Sequence, residues 1–174
     1  MTDTRETLWR DLIVDVPDFP QPGILFRDVT PLLENGEGLR TAVDALAGSF
    51  SGVDIVAGIE SRGFIFGAPV AYALGVGMAP VRKVGKLPRA TARADYALEY
   101  GTNTLEIHED ALRPGQRVLI IDDVLATGGT AAATADLVTR LGAEVAGIAV
   151  LIELTALDGR SKLGDLPVVS LLSY

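Results

Sequence analysis

The chain has 174 residues, of which 48% are hydrophobic and 22% charged, and it contains no cysteine. This composition predicts one globular domain with its own core, and it excludes disulfides, thiolate metal sites and a cysteine nucleophile. The net charge of −8 argues against nucleic-acid partners. A polar N-terminus and the absence of any apolar run near about 18 residues lead us to expect no signal peptide and no contact with a membrane. The lack of cysteine fits a reducing cytoplasm.

The first part of the chain contains short segments separated by prolines. Apolar residues at helical spacing predict a helix over residues 8–16 that Pro17 ends. Residues 24–29 predict a short extended segment. Thr30 and Pro31 then resemble an N-cap and a first helical position, and residues 39–50 predict an amphipathic helix.

A repeating strand and helix pattern follows. Residues 84–96 lack periodicity and predict a long polar loop. We expect Pro69 to kink the helix that contains it or to delay the start of that helix. The alternation predicts an α/β fold with a mostly parallel central sheet flanked by helices. The predicted strands are 55–59, 78–82, 98–100, 104–108, 118–121, 145–152 and 168–172, and the helices run to about 74 and from 130 to 141.

The most informative segment joins the strand at 118–121 to the next helix. Two acids, Asp122 and Asp123, precede the turn Thr127-Gly128-Gly129-Thr130. Free N–H groups and the dipole at a helix N-terminus favour phosphate, whereas the carboxylates suit ribose hydroxyls or a Mg²⁺ ion held with them. An ordinary loop with a capping threonine is the competing interpretation, but this combination of residues is more specific.

Basic residues follow two of the predicted strands. Arg62 follows the strand at 55–59, and Arg82, Lys83 and Lys86 follow the next. In a parallel sheet all of them should lie at the same edge as the phosphate turn. Arginine and lysine there could neutralise a pyrophosphate leaving group. The alternative is a solvated basic loop.

The remaining ionisable residues suggest little chemistry. His108 is the only histidine and is expected to be structural, so neither a histidine-based triad nor a His-rich metal site is available. Glu106, Glu109 and Asp110 are expected to be solvated.

The segment 118–130 resembles the motif by which type I phosphoribosyltransferases bind phosphoribosyl pyrophosphate (PRPP). The resemblance implies that the two acids contact the ribose hydroxyls and that the turn binds the 5′-phosphate. The residues implicated are Asp122, Asp123, Ala126, Thr127, Gly128, Gly129 and Thr130.

Two further segments, 60–64 and 82–88, resemble the pyrophosphate side of the site in the adenine phosphoribosyltransferase family. That family also implies a cis peptide bond between Glu60 and Ser61. Residues 98–101 match the family as well: the position of Glu99 lies near N7 of the purine, which makes Glu99 a candidate for proton transfer, and Tyr100 is a candidate substrate contact.

Residues 17–28 look like the N-terminal hood of the same family. There, residues matching Leu25, Phe26 and Arg27 line the adenine pocket, and Val124 and Leu154 occupy positions that can complete its apolar walls. Without the resemblance, Phe26 would be interpreted as a core residue of an edge strand.

The resemblance extends over about residues 17–172. It implies a type I phosphoribosyltransferase fold, with a hood at about 1–35 and a core at about 36–174 in a single domain. It also implies Mg²⁺-dependent transfer of the phosphoribosyl group from PRPP to adenine, which yields AMP and pyrophosphate in purine salvage. Glu99, Arg62 and Lys86 would be catalytic. The Mg²⁺ would be held mainly through PRPP, with Asp122 and Asp123 as candidate ligands.

The family is typically homodimeric, which leaves open whether Arg82 and Lys83 serve this chain or its partner. Two alternative functions also stay open at this stage. One is a phosphoribosyltransferase for another base, since base choice depends on which donors and acceptors meet the purine edge. The other is a non-catalytic PRPP-sensing regulator built on the same fold.

Overall fold

The computed structural model describes residues 4–97 and 102–174. The strand predicted at 98–100 lies outside these residues. The helices are α1 (Thr4–Asp11), α2 (Thr30–Glu34), α3 (Gly36–Ala47), α4 (Gly63–Leu74) and α5 (Gly129–Arg140). The strands are β1 (Val14–Pro17), β2 (Leu25–Asp28), β3 (Ile55–Ile59), β4 (Gly77–Lys83), β5 (Thr91–Ala97), β6 (Thr102–His108), β7 (Arg117–Leu125), β8 (Glu144–Glu153) and β9 (Val168–Ser173).

Seven of these strands form one sheet in the order β5-β6-β4-β3-β7-β8-β9. The five strands from β4 to β9 in this order are parallel, and β6 and β5 extend the sheet as an antiparallel hairpin beside β4. The prediction of an α/β fold with a mostly parallel sheet is therefore confirmed. β1 and β2 pair with each other as a separate antiparallel hairpin.

The central strands are buried on both faces, which explains their continuous apolar runs. In β7, Val118 and Ile120 pack with α5 on one face, whereas Leu119 and Ile121 pack with α3 and α4 on the other. Because helices cover both faces, the polar residues of the central strands are confined to the strand ends. This arrangement directs the chemistry to the carboxyl edge of the sheet.

The N-terminal helix begins and ends earlier than the sequence predicts. It ends at Asp11, and residues 14–17 form β1, which pairs with β2. Trp9 still anchors the helix, since its buried indole donates a 3.0 Å hydrogen bond from Nε1 to Oγ1 of Thr41. The helical spacing of apolar residues continues into β1, but β1 pairs with β2. That pairing favours the extended conformation, because tertiary pairing overrides local periodicity.

The next two helices also differ slightly from prediction. Val29 is the N-cap of α2, and Thr30 is already helical. A residue that precedes the helix binds Thr30: the N–H and the hydroxyl of Thr30 both donate to the carboxylate of Asp28, at 2.9 and 2.8 Å. Phe50 lies beyond the end of α3, although it packs in the same apolar cluster.

Helix α4 runs without a late start from Gly63, with Pro69 inside it. Its first residue has to be glycine, because a Cβ at position 63 would lie 2.8 Å from Oδ1 of Asp122 and 2.9 Å from the carbonyl oxygen of Ile121. This close approach brings the start of α4 against the polar end of β7.

The prediction of a loop over residues 84–96 is wrong for its second half, because residues 91–97 form β5. Ala92, Ala94 and Tyr96 pack on the core, while Arg93 and Asp95 alternate with them on the exposed side. Alanine is a weak strand former, so this alternation does not by itself predict a strand. Packing against β6 and α5 stabilises the strand in the folded protein. Strand β7 is also longer than predicted and includes both Asp122 and Asp123.

Candidate active site

A cavity of about 380 Å³ opens at the carboxyl edge of the sheet. The connection from β3 to α4, the end of β4 and the end of β7 all reach it, as the parallel topology requires. The residues that line it are Glu60, Ser61, Arg62, Lys83, Tyr96, Leu105, Asp122, Asp123, Val124, Ala126 and Thr130.

A smaller cavity of about 70 Å³ lies inside the turn between β7 and α5. Residues 124–131 surround it, together with Asp122 and Val150. Gly128 is the N-cap of α5 and has φ = 78°, a left-handed conformation that glycine adopts without strain. The first N–H groups of an α-helix have no partner within the helix, so this turn can bind an anion of phosphate size.

The two carboxylates at the end of β7 differ in their surroundings. Oδ1 of Asp122 accepts a 2.9 Å hydrogen bond from the N–H of Asp123. Burial, followed by the charge of Asp123, raises the pKa of Asp122 well above its ordinary value. Asp123 is 5% exposed, and its Oδ2 lies 2.8 Å from Nε of Arg62.

The contact between Asp123 and Arg62 is close but poorly aligned. The distance is that of an ion pair, yet Oδ2 of Asp123 has no hydrogen bond of acceptable geometry among the described residues. A buried carboxylate oxygen without an aligned donor is costly. It therefore suits a ligand that brings hydroxyl donors or a hard cation.

The predicted basic residues separate into two groups. Arg62 and Lys83 line the large cavity. Arg82 instead donates from Nε to Oε2 of Glu60 at 2.9 Å, and from a terminal nitrogen to the carbonyl oxygen of Lys86 at 3.3 Å. Lys86 is exposed on the loop at 84–90 and is not among the lining residues.

A third cavity, of about 370 Å³, lies beneath the β1–β2 hairpin. Phe19 and Phe26 meet edge to face, with ring centroids 5.1 Å apart, and the guanidinium of Arg62 lies 5.0 Å from the centroid of Phe26. Arg62 therefore links this cavity to the larger one. Its lining residues are Val16, Phe19, Phe26, Asp28, Thr30 and Arg62.

Comparison with known proteins agrees with this geometry. Residues 32–168 match the model of the phosphoribosyl transferase domain family. An adenine phosphoribosyltransferase of Nocardioides sp. is 61% identical over 168 residues, which is 93% of this chain and 91% of that protein. The chain belongs to the adenine phosphoribosyltransferase family.

Solved structures of the family confirm the predicted type I phosphoribosyltransferase fold with its hood. The adenine phosphoribosyltransferase of Rhodothermus marinus superimposes with a TM-score of 0.94 at 53% identity, covering 98% of this chain and 99% of the other. The Saccharomyces cerevisiae enzyme, complexed with an imino-altritol bisphosphate and adenine, gives a TM-score of 0.92 at 42% identity, covering 97% and 99%. The chain is accordingly a pentosyltransferase of purine salvage, which transfers a phosphoribosyl group from PRPP to adenine.

Within this adenine phosphoribosyltransferase site, the hood residues predicted from sequence face different ways. Phe26 points into the cavity, while Leu25 is 47% exposed. Arg27 forms an ion pair with Asp15, and its guanidinium lies 4.1 Å from the ring centroid of Tyr174. Val124, at the end of β7, lines the large cavity and the cavity inside the turn, whereas Leu154 packs against the core and is not a lining residue.

Sequence reasoning missed several lining residues. Phe19 stands between Asp18 and Pro20, where an aromatic residue in a proline-rich loop was its only signal. Tyr96 was hidden because its strand was predicted as loop. Glu99 and Tyr100 lie outside the described residues. The peptide bond between Glu60 and Ser61 is cis, as the family resemblance implied.

The prediction that Glu106 is solvated is wrong. Glu106 is 1% exposed and accepts 3.1 Å hydrogen bonds at Oε1 from the N–H groups of Lys86 and Leu87. Burial acts to raise its pKa, but these N–H groups and the hydroxyl of Thr91 outweigh it, so the pKa of Glu106 is held below its ordinary value. Glu106 thus supports the basic loop from beneath.

The structure adds two observations on the remaining predictions. His108 contacts Arg89 through Nδ1 at 3.2 Å and does not line the large cavity. Among residues 4–97 and 102–174, no three histidine or acidic side chains cluster as a metal site.

None of the helices in the described part of the chain is both long and apolar enough to cross a membrane.

Proposed function

We propose that the three cavities divide the adenine phosphoribosyltransferase reaction between them: the turn for the 5′-phosphate, the large cavity for ribose and pyrophosphate, and the hood cavity for adenine. The observation that carries this proposal is the end of β7. There, two carboxylates and a helix N-terminal turn face Arg62 and Lys83 across one cavity.

The 5′-phosphate and ribose would be held by one continuous segment. Backbone N–H groups and hydroxyls from Ala126 to Thr130 would bind the phosphate. Asp122 and Asp123 would accept hydrogen bonds from the two ribose hydroxyls. The unaligned Oδ2 of Asp123 supports this role, because a ligand hydroxyl would supply the missing donor.

Pyrophosphate would be stabilised as it leaves by Arg62 and Lys83. Lys86 would join them from the loop at 84–90, whose N–H groups are held by Glu106. Positive charge is needed most when the C1–O bond breaks, so these groups would stabilise the transition state more than the ground state. Arg82 is paired with Glu60, which itself lines the large cavity, and we propose Arg82 as a candidate for the site of a partner subunit in a homodimer.

Adenine would bind under the hood against Phe26, with Arg62 above that ring and Val124 on the far side. Leu25, Arg27 and Leu154 would contribute from the rim, and Tyr100 from the segment after β5. Because both aromatic rings of the cavity belong to the hairpin and its loop, movement of the hairpin would open and close the base site.

In the reaction, N9 of adenine attacks C1 of the ribose from the side opposite pyrophosphate, so the configuration at C1 inverts. The N9–C1 bond forms as the C1–O bond breaks, and the electron pair of that bond leaves with pyrophosphate. Adenine must lose one ring proton as the N9–C1 bond forms, and the carboxylate of Glu99, which the family resemblance puts near N7, would accept it.

A magnesium ion fits this donor set. Mg²⁺ keeps several waters and binds through one or two carboxylates together with substrate oxygens. Asp122 and Asp123 supply two carboxylates, which agrees with a metal held mainly through PRPP. When bound, the ion would neutralise the growing charge on pyrophosphate.

We further propose that the protein acts as a homodimer in the cytoplasm, without nucleic-acid or membrane partners. The net charge of −8 supports the absence of nucleic acid, and a sequence without cysteine fits a reducing compartment.

AMP formation from adenine and PRPP tests the proposal, measured with and without Mg²⁺ and beside reactions with hypoxanthine, guanine and orotate. With PRPP present, we expect a product only when adenine is the base and Mg²⁺ is added. Equal turnover of hypoxanthine would overturn the choice of base. PRPP binding without turnover of any base would favour a sensor.

A further inference from the structure

Two glycines meet back to back behind the phosphate turn. A Cβ on Gly128 would lie 2.1 Å from the carbonyl oxygen of Gly159. In return, a Cβ on Gly159 would lie 2.3 Å from the carbonyl oxygen of Ala126 and 3.0 Å from the nitrogen of Gly128. The backbone at residue 159 is therefore in direct contact with the outer side of the turn, opposite its cavity.

Gly159 starts a short 3₁₀ helix, Gly159–Lys162, which lies between β8 and β9. The next residue, Arg160, fixes this helix to the sheet. Its Nε and one terminal nitrogen donate to the two carboxylate oxygens of Glu153 at 2.6 and 2.7 Å, and its other terminal nitrogen donates to the carbonyl oxygen of Val168 at 3.1 Å. Ser170 adds a 2.7 Å hydrogen bond to Glu153.

Glu153 connects this network to the strand that carries the turn. It is the last residue of β8, is 7% exposed, and pairs in register with Leu125, the last residue of β7. The turn is thus connected to the paired ends of β7 and β8 in two ways: directly through β7, and through the backbone contact with Gly159. A bidentate arginine–carboxylate pair with further hydrogen bonds is a rigid support.

We propose that Glu153, Arg160 and Gly159 position the phosphate turn, so that its N–H groups are held in place before the 5′-phosphate arrives. This inference rests on the proposed role of the turn. The turn encloses a cavity of only about 70 Å³, so a small displacement of its backbone would misalign several donors at once. Fixed donors bind more tightly than donors that the ligand must order. None of the three residues is among those that line the cavity, so they act through the turn.

Arg160→Gln tests the proposal, with Arg40→Gln as the matched control, since Arg40 is an exposed arginine paired with Asp44 at 3.6 Å. Binding of ribose 5-phosphate is measured by calorimetry, and KM is measured separately for PRPP and adenine. We expect Arg160→Gln to weaken ribose 5-phosphate and raise the KM for PRPP by about 10-fold, with the KM for adenine changed by less than about 2-fold. Arg160→Lys should recover part of the loss.

Gly159→Ala provides a second route, because it pushes on the turn without removing a charge. Gly36→Ala is its control, since a Cβ there has no heavy atom within 4 Å. We expect Gly159→Ala to reproduce the selective loss. The melting temperature of each variant shows whether it is folded. If Gly159→Ala is not folded, Arg160→Lys supplies the test instead.

Unchanged phosphate binding in folded Arg160→Gln would overturn the inference. So would a parallel loss for adenine and PRPP, since a structural role alone would produce it. Failure of the wild type to bind ribose 5-phosphate would instead overturn the proposed role of the turn in binding the 5′-phosphate, and this inference with it.

Discussion

The phosphate turn after β7 and the basic loop after β4 both follow strands of the same sheet, but they are supported in different ways. Backbone geometry builds the turn: Gly128 has φ = 78°, and the glycine behind it leaves room for no side chain. In the loop at 84–90, the buried carboxylate of Glu106 accepts the N–H groups of two successive residues, Lys86 and Leu87. We therefore expect the turn to be most sensitive to an added side chain, and the loop to be most sensitive to the loss of a charge.

The largest effect is expected at the turn. Gly128→Ala adds a Cβ that would lie 2.1 Å from the carbonyl oxygen of Gly159, and it also places alanine at positive φ. We expect kcat/KM for PRPP to fall by at least about 100-fold. Gly115→Ala is the control, because it has φ = 77° but no heavy atom within 4 Å of the added Cβ. Equal losses in the two variants would mean that strain, and not the contact with Gly159, matters.

Removal of a carboxylate at the end of β7 should raise stability and lower activity. Because burial, followed by the charge of Asp123, raises the pKa of Asp122, the folded state loses stability as pH rises above the ordinary value of 3.8, and the loss is complete above the folded pKa. Asp122→Asn should raise Tm at pH 7 and lower kcat/KM by about 10- to 100-fold, because an acceptor for ribose is lost. Asp136→Asn, on the exposed side of α5, is the control. A lower Tm would contradict the prediction.

At the basic loop, Glu106→Gln should act through loss of charge. Removal of a carboxylate that accepts two backbone hydrogen bonds should cost about 2 kcal/mol of unfolding free energy, or about 4–8 °C in Tm. The KM for PRPP should rise by about 10-fold, since Lys86 is no longer fixed. The neighbouring exposed Glu109→Gln controls for the change of side chain. A Tm equal to that of the wild type would show that Glu106 does not support the loop.

The same variant gives a pH test. The pKa of Glu106 is lowered on folding, so its contribution to stability is present above the ordinary value of 4.5 and is lost as pH falls through the lower folded value. The difference in Tm between wild type and Glu106→Gln should therefore be constant from pH 6 to 8 and shrink below pH 4.5. A difference that persists unchanged at the lowest pH would show that packing, and not charge, is responsible.

The smallest effects are expected at two neighbours on β4. Lys83 lines the large cavity, whereas Arg82 pairs with Glu60. Lys83→Gln should lower kcat/KM by about 5-fold, and Arg82→Gln should do the same if it serves the site of a partner subunit as proposed. Steady-state kinetics checks both. A loss below about 2-fold for Arg82→Gln would show that Arg82 serves no catalytic site.

The sequence alone determined the parallel half of the molecule. The buried strand at 118–121, the acids after it and the Thr-Gly-Gly-Thr turn lie close together in the chain, so their chemistry could be derived from local order. The same was true of Arg62, because the topology of a parallel sheet brings strand ends to one edge.

Only the tertiary structure decided the role of the antiparallel half and of the supports behind the turn. Glu106 looked like a solvated strand residue until the loop at 84–90 folded over it, and Arg82 and Lys83 looked alike until Glu60 paired with the side chain of Arg82. Gly159 lies 31 residues beyond Gly128 in the sequence, with nothing local to connect them. Burial and close backbone contact depend on partners distant in the chain, and no local pattern of residues records them.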